Sequence, residues 1–131
     1  MTLHITGLYV GLTIILTVIL AVRIGLYRGK SGVSIGDGGD KELAVRVRHH
    51  GNLLETAALT LLAIGVLEIN GTSPTMLHAL GGAYIVCRIL HPIGLRADNI
   101  THPLRAVGAL GSTLVMLISG IMAILHFAGS L

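Results

Sequence analysis

Four long apolar stretches, each separated from the next by a short polar segment, organise the chain. They run from about Leu3 to Tyr27, Leu43 to Leu67, Thr75 to Gly94 and Leu104 to Phe127. A helix rising about 1.5 Å per residue needs about 20 residues to cross a hydrocarbon core of about 30 Å, and each run is long enough. None alternates apolar and polar positions as the strands of a membrane barrel do. The pattern predicts an all-α integral membrane protein, a four-transmembrane-helix bundle forming a single domain over residues 1–131. The first run has no basic residue before it and no A-x-A site closing it, so it reads as a span and not as a cleaved leader. Of the connections, Arg28 to Asp40 (RGKSGVSIGDGGD) reads as a glycine-rich loop. Asn70 to Pro74 reads as a tight turn with a proline opening the next helix, and Arg96 to Pro103 as a polar bend.

Composition sharpens this picture. Of 131 residues, 53% are hydrophobic and only 11% charged, against about 25% charged in a soluble domain. The mean hydropathy is +0.84. These values exclude an ordinary soluble enzyme and a disordered tail. The formal net charge of +3 invites a nucleic-acid reading, but the placement of the basic residues removes the need for one. Arg23, Arg28, Lys30, Lys41, Arg46 and Arg48 flank the first connection; Arg88, Arg96 and Arg105 flank the third. Four spans put those two connections on one side, which the positive-inside rule makes cytoplasmic. Both termini are then expected on the outer side. The single cysteine, Cys87, excludes an internal disulfide, and no set of metal ligands is expected.

Candidate chemistry lies in polar residues inside the spans. Arg48, Asn52 and Glu55 stand at i, i+4 and i+7, within about 60° of one another around the helix, a single stripe. An unpaired carboxylate at the depth of Glu55 costs several kcal/mol, so Glu55 needs a cation or a proton. Arg88 and His91, at i and i+3 on the third span, share a face. Because neighbouring spans are antiparallel, a Glu55–Arg88 pair is a reasonable expectation. Arg105 opens the fourth span at the same level. Together these six residues could surround one pocket for an anionic ligand that also carries a cationic group. Plainer roles stand beside this one. Arg48 and Arg105 suit snorkelling interfacial anchors, Asn52 suits helix–helix glue, and Glu55–Arg88 suits a structural pair. Tyr84 is placed to hydrogen-bond between helices, and Gly81, Gly82, Gly108, Gly111 and Ser112 to permit close packing.

The segment Glu42 to Thr56, ELAVRVRHHGNLLET, resembles the second-helix signature of the MAPEG family (membrane-associated proteins in eicosanoid and glutathione metabolism). The Arg88-Ile89-Leu90-His91 segment is similar to the family's third-helix pattern, and His102-Pro103-Leu104-Arg105 to the motif that opens its fourth helix. The short loops look most like the small bacterial inner-membrane branch. The resemblance implies a homotrimer in the lipid bilayer that binds glutathione, as cosubstrate, between subunits. It implies transfer to lipophilic electrophiles or reduction of lipid hydroperoxides. By motif, Arg48, Asn52 and Glu55 would contact glutathione, Arg88 would hold Glu55, His91 would line the pocket, and Arg105 would activate the thiol. The chain departs from the pattern at Leu95 and Ala109, where some members have tyrosines, and at Gly51, where some have arginine. A non-catalytic trimeric binding or scaffold protein of the same fold is the alternative. A proton-coupled transporter using Glu55 is less well supported, because the first span carries no acid.

Overall fold

The computed structural model describes residues 2–96, 98–99 and 101–129. They form four α-helices: α1 (His4–Ser31), α2 (Lys41–Ile69), α3 (Pro74–Gly94) and α4 (Pro103–Ala128). All four are long and apolar enough to cross a membrane, and the described residues include no strand. The polar bend expected over Arg96–Pro103 contains Ala97 and Ile100, which lie outside the described residues.

The helix ends follow local chemistry. Helix α1 runs four residues beyond Tyr27, into the segment expected to be loop. No proline interrupts the segment before Gly32, and Arg28 and Lys30 in the last turn suit the negative end of the helix dipole. Gly32 then stops it. Its φ is 71°, and its N–H donates to the Arg28 carbonyl at 2.9 Å, a left-handed cap that glycine adopts without strain. Helix α2 begins at Asp40, whose Oδ1 accepts the N–H groups of Glu42 and Leu43. The Tyr27 hydroxyl donates to Asp40 Oδ2 at 3.0 Å, and the Arg46 guanidinium lies 4.6 Å from the Tyr27 ring centre. Asp40 thus joins the two helices as well as capping one.

The Leu43 amide, followed by the Tyr27 hydroxyl and the Glu42 amide, holds the Asp40 carboxyl below its ordinary value of 3.8. A depressed acid stabilises the fold when ionised. Its contribution is complete above pH 3.8 and is lost as pH falls through the lower folded-state value. Asp40→Ala should therefore lower the thermal unfolding midpoint by a few degrees at neutral pH. The gap from the parent should close in acid, a trend that melting curves across that range will check.

Helices α3 and α4 both open on a proline, Pro74 and Pro103, capped by Ser73 and His102. Pro92 lies inside α3, but only in its last turn, where a missing N–H breaks a single ladder bond. The core unites Ala57, Ile64 and Leu67 of α2, Leu77, Leu80 and Tyr84 of α3, and Val115 of α4. Tyr84 is wholly buried, with its hydroxyl 3.0 Å from Thr56 Oγ1, the interhelical bond expected of it. Small residues set the closest approaches. The Tyr9 ring lies on Gly81, Gly94 meets the main chain of Arg105, and Gly108 meets the main chain of Cys87 and His91. Cys87 is buried, with its sulfur facing Gly111. Outward, Ile14, Ile15 and Val18 of α1 and Leu110, Leu114 and Leu117 of α4 are exposed, as a lipid-facing surface requires.

The antiparallel packing gathers polar groups at both ends. At one end Tyr27 meets Asp40, and His49 Nε2 lies 3.0 Å from the Leu95 carbonyl oxygen. At the other, α1 has no capping side chain of its own, and Glu68 of α2 supplies one. Its two carboxylate oxygens accept the N–H groups of Ile5 and Thr6 at 2.9 and 2.7 Å. Tyr9 with His78 and Thr72 with His126 complete that end.

Candidate functional site

The six residues of interest divide into an outer pair and an inner group. Outside, Arg48 and Glu55 form a bidentate ion pair two turns apart on α2, with N–O distances of 2.9 and 3.3 Å. Their side chains are 60% and 55% exposed. Position 52 lies between them, and Asn52 is half-buried. Inside, Arg88 is only 5% exposed. Its Nη1 donates to the main-chain oxygen of Asn52 at 2.8 Å and its Nη2 to that of Gly108 at 3.4 Å. The guanidinium carbon lies 5.7 Å from the centre of the Tyr84 ring, and Nε is buried without a hydrogen-bond partner.

The expected Glu55–Arg88 pair is therefore not formed. Arg88 projects behind the α2 backbone toward α4, whereas Glu55 projects outward, and Arg48 on the same face reaches it first. The structure still links the two groups through Asn52. Its main chain receives Arg88, and its position lies within the outer stripe.

His91 is buried one turn beyond Arg88. Arg88, His49, Arg105 and Arg48 all lie close enough to act on it electrostatically, so these residues occupy one region of the basic end. Arg105 is half-buried in the first turn of α4, where its N–H donates to the His102 carbonyl at 3.0 Å. His49 is buried within the chain and pinned by its Nε2 to the Leu95 carbonyl that follows α3. Asp37 and Asp40 serve the turn and the α2 cap. Among the described residues no three His, Cys, Asp or Glu side chains come together as metal ligands.

Sequence reasoning missed the main-chain acceptors of Arg88 and the burial of His49. A backbone carbonyl leaves no signature in residue type, so only the packing of α3 between α2 and α4 reveals the first. The helix register of His49, one position off the Arg48 stripe, was the available signal for the second.

Four membrane-length helices, with one buried arginine and further basic residues gathered at the same end, define an integral membrane bundle. The chain belongs to the MAPEG family, whose model matches residues 6–125. It is also similar to the inner membrane protein YecN of Escherichia coli K12, with 29% identity over 90 residues, 69% of each chain. The YecN protein of Escherichia coli O6:H1 matches to the same extent.

Proposed function

We propose that this protein is a glutathione-dependent transferase or peroxidase acting on lipophilic electrophiles or lipid hydroperoxides. In this reading it is a homotrimer in a bacterial inner membrane, with its site toward the cytoplasm and both termini periplasmic. The observation that carries the proposal is the Arg48–Glu55 pair, two opposite charges more than half exposed on a membrane-length helix. Charges facing hydrocarbon are costly, so a neighbouring subunit covering this face removes the penalty. It also encloses both charges in an interface.

The pair suits a zwitterionic tripeptide. Glu55 would take the α-ammonium and Arg48 a carboxylate, its planar fork matching two oxygens. Asn52 would fix orientation. Arg88, buried behind beside His91, would hold the floor of the site, its bonds joining α3 to α2 and α4. Bound glutathione supplies a nucleophilic thiol. Arg105 would favour its deprotonated form, since a free thiol of pKa about 8.5 is mostly protonated at neutral pH.

Glu55→Gln should weaken glutathione binding about 10-fold or more, the loss of one charge-assisted contact, measured by calorimetry in detergent. Unchanged affinity in a folded variant would reduce Glu55 to a structural partner of Arg48. Leu95 and Ala109, in place of tyrosines, favour a second reading in which glutathione binds without turnover. Binding by calorimetry combined with inertness toward both an aryl halide and a lipid hydroperoxide would select it.

A further inference from the structure

Two adjoining hollows at the basic end share Arg23, Pro92 and Ile93. One is a polar recess of about 390 Å³ whose wall includes Arg23, Glu42, His49, Arg96 and Asp98. The other is an apolar groove of about 370 Å³ between Leu16, Ile19 and Leu20 of α1 and Ile89, Pro92 and Ile93 of α3. A charged recess opening onto an apolar groove is the shape of an amphiphile.

We propose that these hollows bind one phospholipid, its phosphate-bearing headgroup in the recess and an acyl chain along the groove. The site uses none of the residues assigned to glutathione and stands apart from that reading.

Charge and hydrogen bonding both support the assignment. Among the described residues neither Arg23 nor Arg96 forms a salt bridge, so two guanidinium forks remain for a phosphate. Glu42 is engaged by Arg46 at 2.8 Å, which leaves Asp98 to face an ammonium. His49 adds the most specific feature. It is 6% exposed, and its Nε2 lies 3.0 Å from the Leu95 carbonyl oxygen. A carbonyl only accepts, so Nε2 carries the hydrogen and Nδ1 is left as an acceptor. Nδ1 is buried and has no partner. A buried acceptor without a partner is costly, and the ammonium or hydroxyl of a headgroup is the donor it lacks. Phosphoethanolamine combines a phosphate for the arginines with an N–H donor for Asp98 and His49. The groove distinguishes this ligand from a soluble phosphate compound, which has nothing to place against Leu16, Ile19 and Ile89.

The test uses the full-length chain, delipidated in mild detergent and followed by native mass spectrometry. Dioleoyl phosphatidylethanolamine should be retained as one adduct per chain. Dioleoylglycerol, without the headgroup, and glycerophosphoethanolamine, without the tails, should each bind at least 10-fold more weakly. Arg23→Gln combined with Arg96→Gln should reduce phospholipid retention at least 10-fold with no change in unfolding midpoint, since both side chains are exposed. Ile89→Trp, which fills the groove, should do the same. Retention by the arginine variant equal to the parent's, or equal binding of dioleoylglycerol, would overturn the proposal. Tight binding of glycerophosphoethanolamine would assign the recess to a free phosphate compound and overturn the lipid. Efficient cross-linking between copies through Ile93→Cys would put a second chain in the groove and overturn it as well.

Discussion

Arg105→Ala is expected to lower turnover of a lipophilic electrophile about 10²-fold or more, the effect of removing one preorganised charge from a reacting centre. Glutathione binding, which the proposal assigns to Arg48 and Glu55, should change far less. Arg105 lies in the first turn of α4, where the helix dipole adds a positive field to that of the guanidinium. Its main chain is packed against Gly94, so its starting point is fixed. A cation held there favours thiolate over thiol. The ultraviolet absorbance of the bound thiolate, followed against pH, is the direct readout. Its midpoint should move upward in Arg105→Ala, and Arg105→Lys should restore part of the difference. Parent-like turnover in a correctly assembled Arg105→Ala protein would remove this residue from the chemistry.

The second large effect is on the fold. Gly108→Ala should destabilise the bundle by about 1–3 kcal/mol or more, the range for overpacking. A methyl group at position 108 would lie 2.6 Å from the His91 nitrogen and 2.7 Å from the Cys87 carbonyl oxygen. Both are main-chain atoms, so no rotamer change relieves the clash, and α4 must shift away from α3. The Gly108 carbonyl, an acceptor for Arg88, would shift with it. Gly120 is the natural control, because a methyl there meets nothing within 4 Å. Gly120→Ala should be neutral or stabilising by up to about 1 kcal/mol through helix propensity alone. Thermal unfolding in detergent followed by helical circular dichroism compares the three proteins. Equal midpoints for Gly108→Ala and the parent would show that the α3–α4 contact is looser than its geometry indicates.

The four spans were legible because an apolar run is a local property that hydrocarbon demands over its whole length. Their ends were less so. Gly32 stops α1 through a conformation that the apolar pattern does not encode, and polar residues such as Arg28 and Lys30 are as comfortable in a last helical turn as in a loop. The cap that Glu68 places on α1 joins residues more than 60 positions apart, beyond any window on local sequence. The Arg48, Asn52 and Glu55 stripe was legible from helical periodicity. Its pairing was not, because periodicity gives the face of a helix and not the reach of its side chains. Arg48 spans two turns to Glu55, a contact that competes with any partner on another helix. His49 shows the same limit from the other side, since one step around the helix separates an outward-facing arginine from a buried imidazole.

Arg88 joins two helices through oxygens that every amino acid carries. Changing the side chain at position 52 leaves its acceptor in place, so a double-mutant cycle between 52 and 88 should report little coupling despite their direct bond. The demand falls on the arginine itself. A lysine would bring its charge to a single point and could not span both carbonyls as a planar fork does. Sequence drift along α2 can therefore proceed without a compensating change at position 88, and correlated substitution is a poor guide to this contact.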